Sequence, residues 1–133
     1  MKVAVTTSGN DLSGPVEPQF GRCPQYLIVD TETMEFKVVP NTAVGSAHGA
    51  GIAAAQLVAS MGVKVVLTGN VGPNAYSALS ASGIKIVTGV SGAVGDAVKR
   101  FSSGDYESTS GPSVGGHFGT RGRGGGGGRR RQL

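Results

Sequence analysis

The chain has 133 residues, enough for one domain with a real core. It has no Trp, 5% aromatics and 24 glycines, so that core has to be aliphatic. Its net charge of +4 is unevenly placed: residues 1–104 are almost neutral, whereas residues 105–133 set five arginines against only Asp105 and Glu107. No apolar run reaches the length of a membrane span, and the apolar part of the opening segment is too short for a secretory signal. A single cysteine, Cys23, excludes an internal disulfide framework and suits a reducing cytoplasm.

Lys2 to Thr6, with Val3, Ala4 and Val5, predicts a first strand. A long polar loop follows from Thr7 to Pro24, punctuated by Gly9, Gly14, Pro15, Pro18 and Gly21. Loops of that length without structure of their own are uncommon in compact domains and are often functional. Tyr26 to Asp30 predicts a second strand, and Phe36, Val38 and Val39 mark a third. The short turn Thr31–Glu35 between them makes an antiparallel hairpin. A second glycine-containing loop, Asn41 to Ala50, carries His48.

Ile52, Ala53, Gln56, Leu57, Ser60 and Met61 then recur at helical spacing, with Gly62 as the stop. Val65, Val66 and Leu67 form a continuous apolar run, as expected of a strand buried on both faces. The chain turns at Gly69 to Gly72, and Pro73 opens a helix that runs to about Ser82. Ile84 to Val87 predicts the last strand, and Val94, Ala97, Val98 and Phe101 mark a third helix.

The order β-β-β-α-β-α-β-α implies an α/β fold. Right-handed crossovers place strands four and five beside strand one, and the hairpin lies on its other side. The expected sheet is five-stranded and mixed, of order 3-2-1-4-5, with strand 2 antiparallel and helices on both faces. The carboxyl ends of strands one and four then meet at a switch point, where open α/β sheets hold ligands. Three loops converge on that rim: Thr7–Pro24, Asn41–Ala50 and Gly69–Gly72. Main-chain N–H groups around Gly69, Asn70, Gly72 and Asn74 would form an anion-accepting nest there. The turn lacks the Lys-Ser/Thr ending of a P-loop, and a tight strand-to-helix connection explains it equally well.

Cys23 lies beside Arg22 in Gln19–Pro24. A neighbouring guanidinium favours the thiolate, the form that binds iron or copper, although a small packed side chain is the plainer account of a lone cysteine. His48, followed by Gly49, could be a ligand at the helix start or a partly exposed loop histidine. Neither has a partner at metal-binding spacing, so any metal would arrive as an assembled cluster carrying its own ligands. Arg22 could pair with an anion. The sequence has no Ser-His-Asp spacing, Rossmann fingerprint or matched acid pair, and no enzymatic activity is expected from it.

Together, M-K-V-A-V, F-G-R-C-P before Y-L-I-V-D-T-E-T, H-G-A-G-I-A-A-A-Q-L, and L-T-G-N-V-G-P-N-A with A-S-G-I-K-I resemble the dinitrogenase iron–molybdenum cofactor biosynthesis family. This is the family of NifX-like proteins and NifB carboxyl-terminal domains, and the resemblance covers residues 1–104. It implies a ribonuclease H-like three-layer fold without ribonuclease chemistry. It also implies binding, carrying or storage of an iron–sulfur or iron-containing mixed-metal cluster. Family members commonly have His-Phe-Gly where this chain has Gln19-Phe20-Gly21, which shifts the implied ligand role to Cys23 and His48.

Periodicity stops at Asp105, and residues 105–133 read as a disordered tail contributing no buried apolar side chains. Arg121, Arg123, Arg129, Arg130 and Arg131, spaced by glycine, suit an anionic metallocluster and self-assembly around it. Some archaeal relatives with cationic, Gly-rich tails resemble iron–sulfur storage proteins. Glycine-spaced arginine also suits RNA, although only Tyr106 and Phe118 supply the aromatics such segments usually interleave. A third reading is a solubilising tail on a domain that binds a small anion.

Overall fold

The computed structural model describes residues 1–42, 50–109 and 111. Five strands form one sheet: β1 (Lys2–Thr7), β2 (Gln25–Asp30), β3 (Phe36–Pro40), β4 (Val65–Leu67) and β5 (Lys85–Val87). Their order is β3-β2-β1-β4-β5. β2 runs antiparallel to both neighbours, from Lys2 opposite Asp30 to Thr7 opposite Gln25 along β1. β4 lies parallel to β1 and β5 parallel to β4. The topology is the one expected from crossover handedness, and strand edges shift by only a residue or two.

Alternation along each strand divides the core into two layers. Ala4, Tyr26, Ile28, Val66 and Ile86 face α1 (Ala50–Ser60) and α2 (Pro73–Ala81). Val3, Val5, Leu27, Val29, Val65, Leu67 and Val87 face α3 (Val94–Ser102). β1 and β4 thus have apolar residues on both faces, which is why they read as continuous apolar runs. On α3, Val94, Ala97 and Val98 are buried, while Asp96 in the first turn and Lys99 and Arg100 in the last complement the helix dipole. Gly51 lets α1 approach α2 closely, since a Cβ there would lie 3.0 Å from the Cβ of Ala75.

Two expectations change. The first loop is stitched to its surroundings, with bridges from Thr7 to Val16, Pro15 to Ala93 and Gln19 to Asn70. Packed contacts also continue past Gly104: Tyr106 joins the α3-side core, and the Thr109 N–H donates to the Ile86 carbonyl at 2.6 Å. The Thr88 N–H donates to the Thr109 hydroxyl at 3.1 Å. Thr109 therefore engages the outer edge of the sheet at Ile86 and Thr88, using groups a terminal strand would leave unpaired. The remainder of the expected tail, apart from Gly111, lies outside the described residues.

Candidate functional site

The carboxyl ends of β1 and β4 carry a buried layer of threonines. The Thr6 hydroxyl donates to the Glu17 carbonyl at 2.6 Å and lies 3.0 Å from the Thr68 hydroxyl. The Thr7 hydroxyl donates to the Pro15 carbonyl at 2.7 Å. These bonds pull Pro15–Glu17 back over the end of β1, where the Glu17 N–H donates to the Thr6 carbonyl at 2.8 Å. The loop then reaches the β4–α2 turn. There the Asn70 N–H donates to the Pro18 carbonyl at 2.6 Å, and the Phe20 N–H to the Asn70 carbonyl at 3.1 Å.

This contact explains Gly69. A Cβ at that position would sit 2.7 Å from both the Cα and the carbonyl oxygen of Pro18. It also corrects the expected nest. No residue from 69 to 72 has a positive φ, so the alternating αR-αL geometry of a nest is absent there. The Asn70 N–H, moreover, is committed to Pro18. Gly72 caps α2 without a side-chain bond and Pro73 begins it, so the first turn of α2, where Asn74 is exposed, presents the positive end of a helix dipole at the rim.

Arg22 and Cys23 face opposite ways. Arg22 is exposed, whereas Cys23 is 2% exposed and packs with Phe20 and Tyr26 beneath the rim. The expected lowering of the thiol pKa by Arg22 is reversed. Burial pushes the Cys23 thiol up, only partly opposed by the Tyr26 hydroxyl and by main-chain groups of Thr7, Cys23 and Gly21. The Tyr26 hydroxyl is likewise pushed up, chiefly by burial and then by the adjacent thiol.

Asn41 holds this segment from below. Its amide Nδ2 donates to the carbonyls of Gly21 at 3.1 Å and Cys23 at 2.9 Å, and its main-chain N–H donates to Pro24 at 3.0 Å. Gly21 needs its freedom here, with φ at +92° and a Cβ position only 3.3 Å from the Cα of Gly51.

Of the residues singled out from sequence, Gly69 and Asn70 meet the first loop at Pro18 and Phe20, Gly72 and Asn74 lie at the start of α2, Arg22 is exposed two residues beyond Phe20, and Cys23 is buried. His48, Gly49, Arg121, Arg123, Arg129, Arg130 and Arg131 lie outside the described residues. Sequence reasoning missed Thr6, Thr7, Thr68, Tyr26 and Asn41. The available signal was polar residues at the carboxyl ends of strands that are otherwise apolar. Among the described residues, no three His, Cys, Asp or Glu side chains converge as a metal-ion site.

Fold and site define a small α/β domain whose loops meet over the ends of two parallel central strands. The chain belongs to the dinitrogenase iron-molybdenum cofactor family, whose sequence profile matches residues 1–104. The apo form of the orange protein from Desulfovibrio gigas is 43% identical, covers 84% of this chain and 94% of its own, and superposes with a TM-score of 0.81. A NifB-like protein of Thermotoga is 38% identical over 80% of this chain and 91% of its own, with a TM-score of 0.70. An uncharacterized protein of Methanocaldococcus jannaschii is 36% identical over 110 residues, spanning 80% of this chain and 90% of that protein.

Proposed function

We propose that this protein binds and carries an anionic iron–sulfur or iron-containing mixed-metal cluster at the rim, without catalysing a reaction. The observation that carries the reading is the junction of the first loop with the β4–α2 turn. Paired main-chain bonds between Pro18, Phe20 and Asn70 build a fixed platform at the switch point. Membership of a family named for a metal cofactor supports the class of ligand. The donor set supports an assembled cluster over a bare ion, because the described residues offer no ligand triad while a cluster brings its own sulfides. In this reading Arg22 and the first turn of α2 near Asn74 supply positive potential, and Cys23 and His48 supply metal ligands, with Gly49 leading into α1.

The arginines at 121, 123 and 129–131 extend the same preference for anions, engaging clusters beyond the rim and drawing chains together. No helix among the described residues is long and apolar enough to cross a membrane. The function is tested by anaerobic reconstitution of the full chain with iron and sulfide, followed by gel filtration and metal analysis. Retained iron and sulfide, in assemblies that survive nuclease but dissolve with an iron chelator, are expected. A chain that retains no metal, or assemblies that dissolve only with nuclease, would replace this reading with nucleic-acid binding through the tail or with a small-anion site.

A further inference from the structure

The first loop is held at two separate places. Its first half is tied to the start of α3, where the Val94 N–H donates to the Gly14 carbonyl at 2.9 Å, the Gly95 N–H to Leu12 at 2.7 Å and the Val16 N–H to Gly92 at 2.8 Å. Its second half, Glu17 to Phe20, meets the β4–α2 turn. The two halves part at the end of β1, because successive residues of a strand face opposite sides of the sheet. Thr7, on the α3 side with Val3 and Val5, grips the Pro15 carbonyl. Thr6, on the α1 and α2 side with Ala4, grips the Glu17 carbonyl. β4 runs parallel to β1 with Val5 beside Leu67, so the next residues, Thr6 and Thr68, are lateral neighbours on that second side. Both are 0% exposed.

Their chemistry fixes a direction. Each hydroxyl carries one proton, and a main-chain carbonyl can only accept. The Thr6 proton goes to Glu17, the shorter contact at 2.6 Å, so the 3.0 Å contact between the two hydroxyls takes the Thr68 proton. A chain of donors thus runs from Thr68 to Thr6 to the Glu17 carbonyl. The Glu17 N–H closes it onto the Thr6 carbonyl at 2.8 Å. Shape alone does not call for threonine at either position. Valine has nearly the same branched outline and suits a buried strand at least as well, without a hydroxyl that must be bonded once it leaves water.

We propose that Thr6 and Thr68 are positioning residues, whose hydroxyl chain sets the second half of the first loop against the β4–α2 turn independently of the anchor on α3. Thr68 stands next to Gly69, whose missing Cβ admits Pro18. The end of β4 therefore both draws the loop in and leaves room for it. A ligand at the rim would meet the main chain of loop and turn, whose spacing the two hydroxyls fix from beneath. That consequence rests on the cluster reading above; the positioning itself does not.

The test is amide hydrogen exchange in the full chain without ligand, followed residue by residue by NMR, since local opening of a segment speeds exchange of its own amides. Thr6→Val should speed exchange at the Glu17, Phe20 and Asn70 amides by about tenfold or more, while the Val16, Val94 and Gly95 amides stay within about twofold of the parent. Thr68→Val should act on the same three platform amides by a smaller factor, about fivefold, because Thr6 keeps its own bond to Glu17. It serves in place of Thr6→Val if that variant does not fold. Thr6→Ser, which keeps the hydroxyl, should return the platform amides to within about threefold of the parent. Equal acceleration in both halves of the loop, Thr6→Ser as fast as Thr6→Val, or unchanged platform amides would overturn the positioning role. With no ligand in the sample, that failure is distinct from a failure to bind a cluster.

Discussion

Gly69 shows how one missing methyl sets the rim. With a Cβ position 2.7 Å from Pro18 backbone atoms, Gly69→Ala forces the first loop away from the β4–α2 turn. The expected loss is about 1–3 kcal/mol, because neither partner is a pliable side chain. Denaturant unfolding would measure it, and a change near zero would show that the loop does not rest on Gly69. Cys23 and Tyr26 give a second prediction, in pH. Both groups have folded-state pKa values raised above their ordinary 9.0 and 10.0. The native state then keeps protons that the unfolded chain releases, so their contribution is intact below about pH 9 and is lost as pH rises beyond it. Thermal unfolding from pH 8 to 10.5 should fall more steeply in the parent than in Cys23→Ser. Parallel curves would remove the thiol as the cause.

Among the elements, β4 and β1 were legible because burial on both faces forces apolar runs, and the helices because a glycine stops each of them. Gly62, Gly83 and Gly104 all adopt positive φ just past a helix end. The meeting of the first loop with the β4–α2 turn followed from crossover handedness, while residues 43–49 of the second loop lie outside the described residues. What the sequence did not reveal depends on main-chain pairing between distant segments. Thr6 ends the expected first strand and Thr7 opens the expected loop, yet their hydroxyls fold that loop back. Cys23 beside Arg22 suggests a charged pair, but neighbouring residues on a tight turn point to opposite sides. The segment after α3 was obscured in the same way, since Tyr106 and Thr109 carry no periodic signal. Truncation after Gly104 removes their contacts with β5 and the α3-side core. Against a chain ending at Gly111, it should lower the melting temperature by roughly 4–8 °C for each kcal/mol lost. Identical melting temperatures would return the end of the packed domain to Gly104.

For the whole molecule, a nearly neutral folded part is joined to a strongly cationic terminus, and the two halves of the account separate on that division. The packed contacts reach Thr109, beside the carboxyl end of β5, where the Gly89 N–H donates to Gly69 at 2.9 Å. The last of these packed contacts therefore lies one strand away from the rim turn. Arg121 lies 12 residues beyond Thr109, at most about 40 Å of extended chain. In the proposed reading the arginines and the rim act on one anionic cluster or on neighbouring ones, and high salt should weaken the arginine contribution by screening it. The most direct measurement is a residue-resolved map of main-chain amide signals by NMR, as a preassembled diamagnetic iron–sulfur cluster is added anaerobically to the full chain. The account predicts saturable changes centred on Gln19–Cys23, Asn70–Asn74 and residues 43–49, with those in the arginine segment disappearing at high salt. Changes confined to residues 121–131, with the rim signals unmoved at saturation, would contradict it.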